Sequence, residues 1–270
     1  MSKFATYICN TMGINRTFNM IRNIKNWDAY LRYKFSSNKA NEFEFELRNG
    51  IKVKVPKQVM PEFKECFFEE MYTKNLPKAL WDIENPIIVD IGANIGFFSL
   101  YCHLKFKNPQ IYAFEPVRRN YNKLVVNIGD LTPNPIRIFN KGVYSEQGFI
   151  TLKLNNNLEV STSASIFDNS LGMDEEKVET VTLKQILSEH NIPRIDLLKL
   201  DCEGSEYPIL YKSDNELFSS INTIAIETHD GVNDAESLYS LQFFCQGLGF
   251  KNKSNGINFL WSFKPVDLWI

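Results

Sequence analysis

No stretch of this 270-residue sequence approaches the roughly 20 consecutive apolar residues that a membrane span requires. Apolar runs such as Ile87–Val89 are cut short by a charge, here Asp90. Phe4–Cys9 is also shorter than the roughly 7–15 apolar residues of a signal-peptide core, so the chain is expected to be soluble and unexported. Cysteine is sparse and unpatterned. Cys9, Cys66, Cys102, Cys202 and Cys245 form an odd set with irregular spacing and no C-x-x-C, which argues against a disulfide framework or a thiolate zinc site and for a reducing cytoplasm. Internal repeats are absent, and 44% hydrophobic residues leave no basis for disorder. The length suits one large domain with a small appendage.

Net charge is only −2, but it is uneven. Residues 1–40 carry Lys3, Arg16, Arg22, Lys25, Arg32, Lys34 and Lys39 against Asp28 alone, giving +6 and leaving −8 for the rest. Such a segment is expected to meet something anionic: another part of this chain, a membrane surface or an acidic partner. Phe18, Ile21, Ile24, Trp27 and Leu31 recur at steps of three or four, predicting one helix with an apolar face and a basic flank. Its Trp27 and Tyr30 suit either packing on the domain or peripheral contact with a membrane interface. Nucleic acid is not expected as a partner, because no recognition motif accompanies the patch.

Glu42–Arg48 and Ile51–Val55 alternate around Asn49-Gly50, which predicts a hairpin. Pro56 and Pro61 break the pattern before a helix over Glu62–Tyr72. Residues 1–80 are therefore read as an N-terminal cap and 81–270 as the main domain. From Pro86, predicted strands at Ile87–Ile91, Ile111–Phe114, Ile136–Phe139, Ile195–Leu200 and Ile221–Ile226 alternate with predicted helices at Gly96–Lys105, Arg118–Ile128, Thr182–Glu189, Tyr207–Ser213 and Ala235–Gly247. Nearly continuous Ile, Val and Leu strands separated by helices imply a doubly wound α/β fold, Rossmann-like and mostly parallel. Phe149–Leu154 reads as an added strand and Asn155–Asp174 as a polar loop of about 20 residues. Stretches from Phe250 and over Asn258–Phe263 read as an antiparallel closing pair.

The most informative stretch is Ile87-Ile-Val-Asp-Ile-Gly-Ala-Asn-Ile-Gly-Phe-Phe-Ser99: a buried strand, an acid, a glycine-bearing turn and a helix. Ligands of open α/β sheets bind at the carboxyl ends of the strands, where glycine lets backbone approach a nucleotide. A dinucleotide fingerprint would read G-x-G-x-x-G, whereas here Asn94 stands in place of the middle glycine, and Asp90 would repel a pyrophosphate. S-adenosylmethionine carries a sulfonium and an ammonium, both favoured by a carboxylate. Glu115 closes the second strand 23 residues after Gly92, well placed to accept hydrogen bonds from ribose. A turn or cap acid at Asp90 and a surface carboxylate at Glu115 are the plainer alternatives.

These residues resemble the FkbM-type S-adenosylmethionine-dependent methyltransferases. The matching segments are Val89–Ser99, Ala113-Phe-Glu-Pro116 with Asn120 and Asn127, Ile195–Glu206 (IDLLKLDCEGSE), and Ile226-Glu-Thr-His229. The resemblance implies a class I methyltransferase fold with a seven-stranded sheet, and transfer to a hydroxyl, often on a sugar or polyketide-like metabolite. Asp90, Gly92, Ala93, Asn94, Gly96, Phe97, Glu115 and Pro116 would hold the cofactor. Gly142 and Val143, after the third strand, would line the adenine edge.

A second acidic cluster follows. Side chains alternate along a strand, so Asp201 and Glu203 share a face, as do Glu227 and His229; in the implied strand order these ends are neighbours. His229 as general base, oriented by a carboxylate, would activate a hydroxyl. Asp201, Glu227 and His229 holding Mg²⁺ is the alternative, and solvated strand-end residues the plain one. His103 and His190 read as structural, and Cys202 as a small buried residue, since no proline follows the pattern of a cysteine nucleophile. Ser161–Ser165 is a candidate acceptor contact. The expected acceptor is a sugar, a glycan (including lipid-linked or phosphorylated forms) or a glycosylated metabolite; an inactive nucleoside-binding module and a nicotinamide-dependent oxidoreductase are the competing classes.

Overall fold

The computed structural model describes residues 13–35, 40–129, 131, 135–155, 160, 164–165, 173–229, 231 and 233–269. Cys9 and most of the predicted loop contacts at Ser161–Ser165 lie outside them. Helices are α1 (Ile14–Asn23), α2 (Asp28–Phe35), α3 (Met60–Phe67), α4 (Phe97–Lys105), α5 (Arg118–Ile128), α6 (Leu183–Glu189), α7 (Glu206–Tyr211) and α8 (Leu238–Gly247). Strands are β1 (Glu42–Glu46), β2 (Lys52–Pro56), β3 (Ile87–Ile91), β4 (Gln110–Phe114), β5 (Arg137–Phe139), β6 (Gly142–Val143), β7 (Gly148–Asn155), β8 (Ala164–Ser165), β9 (Met173–Val181), β10 (Leu197–Leu200), β11 (Thr223–Glu227), β12 (Lys251–Ser254) and β13 (Phe259–Phe263).

The central sheet has seven strands in the order β12-β13-β11-β10-β3-β4-β5. β11, β10, β3, β4 and β5 run parallel, while β13 is antiparallel to both β11 and β12. This is the doubly wound, mostly parallel sheet that the sequence implies. Every residue of β3 is buried, because both faces are covered. Ile88, Ile111, Leu197 and Ala225 pack on one face with the N-terminal segments, α3, α4 and α5. Val89, Tyr112, Leu198 and Ile224 pack on the other with α6, α7 and α8. Asp196 ties the strand starts together, accepting from the Ile87 amide at 2.8 Å and from Asn222 at 3.0 Å.

The N-terminal segment differs from its prediction. The helix stops at Asn23 because Ile24 turns extended and bridges to Leu47 beside the β1–β2 hairpin. The buried face is consequently Thr17, Met20 and Asn23, with Phe18 62% and Ile21 38% exposed. Its basic residues find acids within the chain: Arg16 meets Glu69 at 2.8 Å, Arg22 meets Glu70 at 2.6 Å and Lys25 meets Glu46 at 2.5 Å. The following helix begins earlier than predicted, at Met60, since Pro61 fits a first helical turn, and ends at Phe67. Phe63 anchors it between Phe45, Phe67 and Phe97, with ring centroids 4.7–5.2 Å apart.

A second sheet, β6-β9-β7-β8, occupies part of the region expected to be loop. β7 and β9 pair antiparallel from Gly148↔Thr180 to Asn155↔Met173. This corrects the reading of residues 155–174 as a continuous polar loop. No helix among the described residues is long and apolar enough to cross a membrane.

Candidate active site

The turn after β3 is built by two glycines with left-handed backbone, Gly92 at φ +74° and Gly96 at φ +95°. A Cβ at Gly92 would lie 1.8 Å from the Asp201 carbonyl oxygen, so only glycine lets the turn pass this close to β10. Asn94 is also left-handed, at φ +50°, and its Oδ1 is shut off from solvent without a hydrogen-bond partner. Asp90 points elsewhere: it accepts from Ser99 at 2.6 Å and lies 3.4 Å from the Lys199 ammonium.

Beyond this turn, Glu115 is buried at the end of β4. Its two oxygens accept from the Asn94 and Val117 amides at 2.8 and 2.9 Å, and Asn120 approaches at 3.4 Å. Burial outweighs these donors and pushes its carboxyl up to about 8. Asn140 holds the Glu115 and Pro116 carbonyls at 2.9 and 2.8 Å.

At the ends of β10 and β11 the charges interlock. Lys199 is buried in the run Leu-Leu-Lys-Leu and donates to the Gly92 carbonyl at 2.6 Å. Burial opposes its charge, but Asp201 and Asp90 outweigh that and hold the ammonium above its ordinary range. The Tyr72 hydroxyl stands between Asp201 Oδ2 at 2.9 Å and Glu227 Oε2 at 2.8 Å. Phe98 and Phe259 fix its ring edge-on, with centroids 5.2 and 5.3 Å away. A hydroxyl has one proton to give, so both contacts are hydrogen bonds only if one carboxyl is protonated and donates back. Glu227 suits that part, being pushed up to about 7 by burial and by Asp201.

His229 Nδ1 meets Glu206 Oε1 at 2.9 Å, and its Nε2 lies 3.7 Å from Glu203 and 3.8 Å from Asp201. Glu206, fully buried, also caps the loop by accepting from the Cys202 and Gly204 amides, each at 2.8 Å. Burial lowers the imidazole, but the Glu206 hydrogen bond and the surrounding carboxylates raise it further, to about 10. A ring held protonated has no lone pair to take a proton, which departs from the base role expected from sequence. Burial, Asp201 and Glu206 push Glu203 up to about 7 despite His229.

Glu115, Asp201, Glu203, Glu227 and His229 line one cavity of about 220 Å³, with Tyr72, Lys199 and Glu206 behind its wall. Of the sequence candidates, Gly92, Asn94, Glu115, Pro116, Gly142, Val143, Asp201, Glu203, Glu227 and His229 face it; Asp90, Ala93, Gly96 and Phe97 are not part of its lining. Among the described residues no group of three or more His, Cys, Asp or Glu is arranged to hold a metal ion. The Mg²⁺ alternative at Asp201, Glu227 and His229 thus finds no support, the Tyr72 hydroxyl standing between the two carboxylates. His190 closes α6 and lies against Phe139, 4.7 Å away. Cys202 is a free cysteine at the cavity wall whose thiol is pushed up by burial and by Glu206, which leaves it unreactive.

Residues 90–251 match a family described as "Methyltransferase FkbM domain". The chain belongs to the FkbM methyltransferase family. A methyltransferase named sdnD from Sordaria araneosa is 30% identical over 62% of this chain and 73% of its own length. The hexuronic acid methyltransferase AglP of Haloferax volcanii is 26% identical, over 56% of this chain and 59% of its own. A third, the AMB antimetabolite synthetase AmbE of Pseudomonas aeruginosa, is 26% identical over 62% of this chain, which spans only 9% of that protein. Among solved structures, magnesium protoporphyrin IX methyltransferase from Synechocystis PCC 6803 covers 93% of this chain and 97% of its own at 9% identity and a TM-score of 0.41; nothing passes to this chain at that distance. Membership of a methyltransferase family sets aside the nicotinamide oxidoreductase.

Within this FkbM-family site, sequence reasoning missed Tyr72, Glu206, Glu62 and Glu65. Tyr72 reaches partners 129 and 155 residues away, and nothing in its neighbours signals that. Lys199 did carry a signal: a lone charge inside an apolar strand must be paired.

Proposed function

We propose that this FkbM-family protein is an S-adenosylmethionine-dependent O-methyltransferase acting on a hydroxyl of a sugar, glycan or glycosylated metabolite. The observation that carries this reading is the convergence in one cavity, at the carboxyl ends of β3, β4, β10 and β11, of a glycine turn, a buried strand-end carboxyl and the Asp201 and Glu227 carboxylates, which Tyr72 bridges from behind. The residues present fit the cofactor. Glu115 keeps lone pairs for ribose hydroxyls after accepting its two backbone amides, and the unpartnered Asn94 Oδ1 awaits a donor. Phe114, Val143, Ile150 and Leu152 give an apolar wall suited to a nucleobase.

S-adenosylmethionine, when bound, supplies an electrophilic methyl group. The chain's own work is to bring up a hydroxyl and take its proton. Asp201 is the proton acceptor, with the Tyr72 hydroxyl donating to it while accepting from the protonated Glu227. His229, held cationic by Glu206, balances the negative charge that Asp201 and Glu203 bring to the same wall.

The test is thermal unfolding with S-adenosylmethionine, S-adenosylhomocysteine, NAD, NADP or no ligand, followed by transfer of labelled methyl to hexosides. A ligand at about 100 times its Kd adds about 2.7 kcal/mol. Stabilisation by the two sulfur nucleosides alone and label retained in an ether are expected; stabilisation by neither overturns the reading.

A further inference from the structure

The two oxygens of Asp201 are used differently. Oδ2 is engaged from behind the cavity, by the Tyr72 hydroxyl at 2.9 Å and the Lys199 ammonium at 3.4 Å. Oδ1 has no hydrogen-bond partner among the described residues, and the side chain, 28% exposed, lines the cavity. His229 is divided in the same way. Its Nδ1 is fixed by Glu206 Oε1 at 2.9 Å, and Glu206 is itself held by the Cys202 and Gly204 amides. Its Nε2 lies 3.8 Å from Asp201 Oδ1 and 3.7 Å from Glu203 Oε2, too far for a hydrogen bond to either. With three carboxyl groups around one ring, both ring nitrogens keep their protons and act as donors. The cavity wall thus presents one acceptor and one donor side by side, each aimed by partners behind it and neither hydrogen-bonded within the described chain.

The 3.8 Å between Oδ1 and Nε2 selects what can sit on the pair. One oxygen bonded to both atoms at an ordinary length, about 2.8 Å, would be pinched to about a right angle. Two oxygens about one hydrogen-bond length apart, the spacing of neighbouring hydroxyls in a gauche arrangement, meet the two atoms nearly head-on. We infer that the acceptor presents a vicinal pair of hydroxyls, one giving its proton to Asp201 Oδ1 and the other accepting from His229 Nε2–H, so that His229 reads the hydroxyl next to the one methylated. This rests on the methyl-transfer reading above. The first hydroxyl loses its proton to Asp201 as its oxygen forms the bond to the methyl carbon, with the electron pair of the broken carbon–sulfur bond left on sulfur; His229 keeps its proton throughout. A hydroxyl without such a neighbour leaves the imidazolium N–H without an acceptor, and a site built to hydrogen-bond a hydroxyl rejects the analogue that lacks it.

The experiment titrates the protein, saturated with S-adenosylhomocysteine, with three isomers: the 2-deoxy, 3-deoxy and 4-deoxy methyl glucosides. Each keeps three hydroxyls, but only the 3-deoxy isomer has no two on adjacent carbons. It is expected to bind at least tenfold more weakly than the tighter of the other two, a hydrogen bond to a charged donor being worth about tenfold or more. In His229→Leu the difference is expected to fall below threefold, because one hydroxyl on Asp201 then suffices. That variant strands the buried Glu206, and the wild-type comparison decides without it. Binding of the 3-deoxy isomer within tenfold of the tighter of the other two, or no binding of any isomer, overturns the inference. So does a tenfold difference that persists in His229→Leu, which would assign the effect to a lone hydroxyl on the third carbon. Failure of S-adenosylhomocysteine to stabilise wild-type protein would instead overturn the methyl-transfer reading itself.

Discussion

The Lys199 ammonium lies 2.6 Å from the carbonyl oxygen of Gly92, so the one charged residue of β10 holds the glycine turn of the neighbouring strand by its backbone. The same nitrogen is 3.4 Å from both Asp90 and Asp201. Replacing it with Met keeps the volume but strands Asp90 in the core with Ser99 alone. Breaking one side of a buried pair costs about 3–5 kcal/mol. Urea unfolding of Lys199→Met is expected to show a loss of that order; a change below about 1 kcal/mol would mean that the turn does not depend on this tie.

Tyr72→Phe removes one oxygen and nothing else. Glu227 then loses the Tyr72 hydrogen bond that lowers it and keeps the Asp201 charge that raises it. The acidic limb of the kcat profile is expected to move up by about one pH unit. The deficit should therefore be largest near pH 6 and shrink above pH 8. A uniform loss across pH would reduce Tyr72 to packing.

Asp201→Asn and His229→Gln separate the two candidate bases. Loss of a proton acceptor costs about 10²–10⁴-fold in rate, expected for Asp201→Asn, since Glu227 is the carboxyl suited to hold the shared proton. His229→Gln, which removes a cation that already holds its proton, is expected to retain far more activity. The reverse order, measured as single-turnover methyl transfer, would restore the imidazole as base.

Stability should fall steadily as pH rises above the ordinary glutamate range. Glu65 and Glu115 are raised to about 8 and Glu203 and Glu227 to about 7, so between about 4.5 and 8 the folded chain holds protons that the unfolded chain has lost. His229, raised from 6.5 to about 10, extends the same trend across that higher window. Glu70, lowered by Arg22, Asn23 and Lys105 against the effect of burial, acts only below about 4.5. Unfolding free energies at pH 5.5, 7 and 9 check this, with His229→Gln expected to flatten the upper segment.

The frame of the molecule was legible where the physics is local. β3 and α5 fall on their predicted limits, Ile87–Ile91 and Arg118–Ile128, because a run of Ile and Val between turn signals and an amphipathic stretch between Pro116 and Gly129 each carry their own boundary. β9 was not legible. Met-Asp-Glu-Glu-Lys-Val-Glu-Thr-Val pairs because β7 lies alongside it, and such pairing overrides the weak strand preference of acidic residues. The face of α1 was misread because the heptad-like spacing ran on through Ile24, where the backbone leaves the helix. At the site, the glycine turn and the strand-end acids belong to contiguous motifs, whereas α3 reaches the cavity, and Tyr72 the two carboxylates, only through tertiary packing.

The family match begins at Asp90, yet Tyr72, which touches both Asp201 and Glu227, comes from before it. The eleven residues from Glu62 to Tyr72 therefore do two jobs at once: Glu62 and Glu65 line the cavity, and Tyr72 behind it contacts both strand-end carboxylates. A substitution that moves this arc therefore alters the cavity wall and the hydrogen bonding of Asp201 and Glu227 together.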